Sequence, residues 1–194
     1  MERADFELLA RELFVVIRGR KTQAQTNQLL RRDYNKASKW ETGSGSIYWR
    51  DLVALCDACG SDLKGALAEH LGFHCDPSAT QLVLKDLAAG MTPKEICFRL
   101  KCSRASWSRW AGGRTDAPLA IALHLLWVTG RLHTFLAAIS NPDSVPSIRR
   151  FHRKQVSART VFAAYPEAAV LLCYLETKQF RALDVHQAGV FAAA

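Results

Sequence analysis

Between positions 103 and 113 the chain reads SRASWSRWAGG, which sets Arg104, Ala105, Ser106, Ser108 and Arg109 around Trp107 and Trp110. On a helix of about 104–111 with both tryptophans turned inward, those five side chains share the outer face. Arginine bonds guanine bidentately in a major groove, and a serine hydroxyl or an alanine methyl approaches a base edge or a thymine methyl. Thr92 heads the preceding helix, whose first N–H groups suit a phosphate. The chemistry these residues offer is recognition of base edges rather than bond making.

A second constellation is metal-like. Cys56 and Cys59 are spaced C-x2-C, and His70 and His74 are spaced H-x3-H after ten intervening residues, a zinc set in loose outline. Both cysteines fall inside an expected helix, at positions matched further along the chain by Leu126 and Thr129. To gather on one ion the four would have to leave helical register, so no metal and no cofactor is expected. Cys97, Cys102 and Cys173 read as buried small residues. No glycine-rich phosphate loop, paired-carboxylate motif or nucleophile elbow is present, and His124 and His133 fall in helices as packing or surface residues. The chain does not read as an enzyme.

The elements that must hold the reading face occur twice. Residues 92–113, TPKEICFRLKCSRASWSRWAGG, align without a gap on residues 22–43, TQAQTNQLLRRDYNKASKWETG. A shift of seventy pairs Thr22 with Thr92, Leu30 with Leu100, Ser38 with Ser108, Trp40 with Trp110 and Gly43 with Gly113. The register continues outside, where Ile17 meets Leu87, Leu55 meets Leu125 and Gly60 meets Gly130; Gly19 and Gly90, both helix stops, fall one residue out of step.

Apolar spacing and stop signals predict helices over about 4–18, 23–31, 34–41, 49–59 and 61–71, then 79–89, 93–100, 104–111, 117–129 and 131–140. Thr22, Thr92 and Ser103 are the expected N-caps, Pro93 suits a first helical position, and Glu95 completes a capping box with Thr92. In the second copy Ile96, Leu100, Trp107 and Trp110, with Cys97 as a small residue, supply the core between the paired helices. The first copy holds Thr26 and Asn27 where the second has Ile96 and Cys97, so its packing is expected to be looser. The order predicts an all-α chain: a first domain over 1–74, a seam at 74–78, a second domain over 78–140, a linker over 141–148 and a helical C-terminal segment over 149–194. Within that segment, residues 157–183 read as helical with a break near Pro166, and Arg149, Arg150, Arg153 and Lys154 form a basic cluster.

Residues 92–113 resemble the Xre/Cro/lambda-repressor family of helix-turn-helix regulators, and residues 22–43 resemble it more weakly. The resemblance spans about 4–72 and 79–140 and implies two tandem five-helix lambda-repressor-like domains. By that resemblance base reading falls on Arg104, Ala105, Ser106 and Arg109 in the second copy and on Tyr34, Asn35, Lys36 and Lys39 in the first. Phosphate contact falls on Thr92, Ser103 and Ser108, and on Thr22, Gln23 and Ser38. The family often has glycine in the turn; here Lys101 and Arg31 stand there, which implies left-handed strain.

Composition bounds the rest. The 194 residues carry a net charge of +8, which favours a polyanionic partner. The excess is uneven: residues 1–70 hold 11 Lys/Arg against 10 Asp/Glu, residues 71–140 hold 8 against 4, and residues 141–194 hold 7 against 4. Six cysteines without a secreted-protein framework fit free thiols in a reducing cytoplasm. The start, MERADFELLARELF, lacks the apolar run of a signal peptide, and LAIALHLLWVTG is too short to span a membrane. The expected protein is a cytoplasmic, sequence-specific regulator of transcription whose partner is double-stranded DNA, with a homodimer through residues 141–194 as an extension of the site. The alternative is a protein-interaction adaptor or antitoxin-like module that uses the helical repeats to hold a protein.

Overall fold

In the computed structural model, residues 3–72 and 75–150 can be described. They form α1 (Arg3–Arg18), α2 (Gln23–Leu29), α3 (Lys36–Thr42), α4 (Trp49–Cys59), α5 (Leu63–Leu71), α6 (Thr80–Leu87), α7 (Pro93–Leu100), α8 (Arg104–Ala111), α9 (Leu119–Val128) and α10 (Leu132–Ile139), then a 3-10 turn over Pro142–Ser144. The described residues are all-helical, without a strand. No helix among them is long and apolar enough to cross a membrane.

Local chemistry sets the boundaries. Thr22 caps α2 in a full box: its hydroxyl accepts from Gln25 N at 3.2 Å, and Gln25 Oε1 accepts from Thr22 N at 2.8 Å. The box expected at Thr92 is only half made. Thr92 accepts from Glu95 N at 3.3 Å, but the Glu95 carboxylate turns to Arg99, 2.9 Å away and one helical turn on. The turns after α2 and α7 match. Arg31 (φ 50) and Lys101 (φ 49) are the two non-glycine residues at positive φ among those described. Past each, the chain closes with an equivalent bond, Arg32 N to Asn27 O at 2.8 Å and Cys102 N to Cys97 O at 3.1 Å.

α3 starts two residues later than the 34–41 expected, and the reason lies in Asn27. Its Nδ2 donates to the Tyr34 carbonyl, and its Oδ1 accepts from Ala37 N at 2.8 Å. Those bonds hold Tyr34 and Asn35 in a turn ahead of the helix. Ser103, by contrast, accepts from Ser106 N at 3.0 Å and starts α8 at once. The looser packing expected from Thr26 and Asn27 does not occur. Both are buried, and Thr26 Oγ1 donates to the Thr22 carbonyl at 2.8 Å.

The two copies share one core. α4 packs on α9 and α5 on α10, so equivalent helices meet each other. Between the copies, Tyr48 and Pro118 form an isolated antiparallel bridge. Its two hydrogen bonds are Leu119 N to Ile47 O at 2.8 Å and Trp49 N to Ala117 O at 3.1 Å. The seventy-residue shift turns each of these bonds into the other, the signature of a local twofold axis through the bridge. Trp49, buried in the first copy, lies 5.7 Å from the Phe135 ring of the second and donates from Nε1 to Pro77 O at 2.8 Å. Symmetry breaks at the start of α1. Its residues 5–9 match the non-helical residues 75–79 ahead of α6, and Phe6 stacks on His124 of α9 with ring centroids 4.3 Å apart.

Residues 141–148 fold against the same unit. Val145 and Ile148 are buried, and Ser147 N donates to Glu12 Oε2 at 2.7 Å. Residues 1–149 cluster as one compact unit. The expected helix over 157–183, Cys173, Arg153, Lys154 and all of the expected dimer surface (141–194) beyond residue 150 fall on 151–194, outside the described residues.

Candidate nucleic-acid interface

α8 is held by one buried side and leaves the other open. Trp107 is buried at 7 % exposure together with Ile96 and Leu100 of α7, while Trp110 and Cys97 pack half-buried at the margin. That fixes the rotation of α8 so that Arg104, Ala105, Ser108 and Arg109 are exposed, with Ser106 half-buried. The Ser106 hydroxyl lies 2.9 Å from that of Ser103, so it is tied to the helix start. Thr92 and Ser103 each accept a helix N–H, and Thr92 keeps a hydroxyl proton to donate outward.

The first copy presents its residues differently. Tyr34 is 83 % exposed, Asn35 is exposed at the N-cap position without a side-chain cap bond, and Lys39 is exposed on α3. Lys36 is half-buried, its Nζ 5.6 Å from the Trp40 ring centroid. Ser38 is half-buried. Thr22, Gln23, Tyr34, Asn35 and Ser38 line one groove with Arg18. Gln23 is exposed, but its Nε2 donates to Glu41 Oε2 at 2.7 Å, so a carboxylate stands where a phosphate was expected.

The charges divide by task. Arg18 pairs with Glu41 at 2.7 Å, tying α1 to α3, and Arg32 pairs with the buried Asp51 at 2.6 Å, tying the first turn to α4. Asp51 also accepts from Tyr48 N at 3.0 Å. Arg104, Arg109 and Arg114 make no ion pair with any described residue. From 101 to 114 the sequence has four cations and no acid, whereas 31–44 has four cations with Asp33 and Glu41. The face around α8 is therefore a concentrated positive surface with its guanidinium groups uncommitted.

Two grooves flank the Tyr48–Pro118 bridge, lined by equivalent positions: Arg11, Gly43 and Ser44 on one side, Gln81, Gly113 and Arg114 on the other. Gly43 (φ 79) and Gly113 (φ 70) end α3 and α8 in the left-handed region. A Cβ on Gly43 would meet Arg11 Nη1 at 2.5 Å, and one on Gly113 would meet Gln81 Cδ at 3.3 Å. The second groove also holds Arg109 and Arg50, with Arg50 Nε 3.1 Å from Asp116 Oδ2. No motif in the sequence marks Arg114 or this bridge. The pairing of Tyr48 with Pro118 was available from the seventy-residue shift, but nothing local says that two equivalent loops meet.

Cys56 is fully buried in α4, and burial pushes its thiol up to about 12, which holds it protonated and poorly suited to bind a cation. Cys59 ends the same helix, and His74 and the His70 side chain lie outside what can be described. No group of three His, Cys, Asp or Glu side chains that could hold a metal occurs among the described residues. His124 is buried at 7 % exposure with Nδ1 unpartnered, and its pKa is lowered, first by burial and further by the charge of Lys101. Compared with known proteins, the chain matches no family model, no curated protein and no solved structure.

Proposed function

We propose that the protein is a sequence-specific, double-stranded-DNA-binding regulator of transcription, built from two Xre-like helix-turn-helix repeats fused in one chain, with α8 as its principal reading helix. The observation that carries this reading is the α7–turn–α8 unit. Trp107 anchors it, Lys101 turns it in the left-handed region, and Arg104 and Arg109 stand outward without an ion pair among the described residues. Uncommitted guanidinium forks on a rigid helix suit bidentate contact to guanine. Thr92, Ser103 and Ser108 surround them with hydroxyls that suit phosphate oxygens, which set position rather than sequence. A cytoplasmic site of action goes with this reading.

The first copy contributes Tyr34, Asn35, Lys36 and Lys39 as its base-reading set and Thr22, Gln23 and Ser38 as its phosphate set, with Gln23 diverted by Glu41. A second reading, a protein-interaction adaptor, is favoured by Phe98, an aromatic side chain 83 % exposed on α7, because exposed aromatics anchor protein interfaces. Selection of bound duplexes from a random DNA pool at moderate salt separates the two. An enriched sequence supports the regulator; a pool that stays random beside a working control protein supports the adaptor.

A further inference from the structure

The relation between the two copies carries a consequence for the shape of the DNA target. A twofold rotation turns each point about its axis and leaves its height along the axis unchanged. The paired hydrogen bonds at the Tyr48–Pro118 bridge, the contact of α4 with α9 and of α5 with α10, and the matched grooves at Gly43 and Gly113 all obey one such rotation. The helices α3 and α8 exchange under it, so they stand at one level on the axis and run at one inclination to it. Two direct repeats on DNA are related by a screw along the duplex, whereas inverted half-sites are related by a twofold axis across it. The internal axis of the chain can coincide only with the second kind.

The exchanged residues are unlike. Tyr34 stands for Arg104, Asn35 for Ala105, Lys36 for Ser106 and Lys39 for Arg109. The two helices also start differently, α8 at Arg104 and α3 at Lys36. A guanidinium fork favours guanine, and an asparagine amide favours adenine. The same geometry therefore offers two different sets of donors to two inverted positions.

We propose that one chain occupies one DNA site made of two inverted but dissimilar half-sites, with α8 on one half and α3 on the other. This rests on the DNA-reading function proposed above. The bridge does within one chain what a subunit interface does in a symmetric dimer, and because the halves are covalently joined, they are free to differ. The complex then has a fixed direction on the DNA, which a symmetric homodimer on a palindrome lacks.

The test uses the full chain and duplexes built from the enriched sequence: the two half-sites inverted, the same two as a direct repeat with equal spacing, and each half alone. The inverted duplex is expected to bind one chain by sedimentation, about 10²-fold more tightly than either half alone or the direct repeat. Arg104→Ala with Arg109→Ala is expected to erase base preference in one half-site only, and Lys39→Ala to weaken preference in the other only. Equal affinity for inverted and direct arrangements, a single sufficient half-site, or two chains on the inverted duplex overturns this proposal and leaves the DNA-reading function standing. Absence of any enriched sequence overturns the DNA-reading function itself.

Discussion

Tyr48 and Pro118 are equivalent residues of two repeats, and they face each other across an antiparallel bridge. The hydrogen bonds on either side, Trp49 N to Ala117 O and Leu119 N to Ile47 O, are the same bond made in each direction. A contact between equivalent positions is what an isologous interface requires. Here it lies inside one chain and joins two copies of one helical unit whose exposed residues differ.

Because equivalent helices meet and Trp49 packs against Phe135, the repeats should unfold together. Calorimetry on the full chain is expected to show one cooperative transition for residues 1–149. Trp49→Ala, which removes a buried indole at the junction, is expected to lower that transition as a whole, at a cost of about 3–5 kcal/mol. Two separable transitions, only one of them shifted by Trp49→Ala, would show that the repeats are independent domains.

Asn27 replaces apolar packing with two hydrogen bonds that clamp the turn before α3. Asn27→Ala leaves the Tyr34 carbonyl and the Ala37 N–H without that partner and is expected to cost about 2–4 kcal/mol in urea unfolding. A loss below about 0.5 kcal/mol, the range of ordinary surface substitutions, would mean that the clamp contributes nothing.

Lys101 and Arg31 hold the left-handed positions of the two turns. A left-handed conformation costs an L-residue about 1–2 kcal/mol, part of which glycine returns as lost chain entropy. Lys101→Gly is expected to raise the melting temperature by about 2–4 °C, and Lys101→Val to lower it. A lower melting temperature for Lys101→Gly would show that the side chain, rather than the turn geometry, stabilises this corner.

His124 of α9 faces α1 with Nδ1 unpartnered, and its pKa lies below the usual 6.5. The unfolded chain therefore binds a proton at a pH where the folded chain does not. The stability that His124 contributes is complete above about pH 6.5 and is lost as the pH falls from there towards the lowered folded value, by at most about 1.4 kcal/mol per pH unit. His124→Phe is expected to flatten this part of the profile between pH 7.5 and 5.5 in urea titrations. An unchanged slope in the variant would place the acid sensitivity elsewhere.

Much of this was legible in the residues, for reasons that differ by element. Helix starts at Thr22, Thr92 and Ser103 and stops at Gly43, Gly60 and Gly113 follow from capping and from φ, which are local. The face of α8 followed from the spacing of Trp107 and Trp110 in the same way. Asn27 was misjudged because composition counts it as polar, whereas its stabilising bonds reach seven and ten residues along the chain. The half-made box at Thr92 turned on a choice by Glu95 between two partners that the spacing allows equally. The bridge, the shared core and the burial of Val145 and Ile148 are contacts between distant segments, and no periodicity encodes them.

The central claim is that Arg104 and Arg109 read bases, and the most direct measurement is the affinity of the full chain for the enriched duplex and a scrambled one across a salt series. The account predicts a marked preference for the enriched duplex and a steep loss of affinity with salt, because phosphate contacts release counterions. Arg104→Ala and Arg109→Ala should each cost about 1–3 kcal/mol on the enriched duplex and little on the scrambled one. Equal affinity of both variants and the unaltered chain for both duplexes would contradict it and leave the face of α8 to a protein partner.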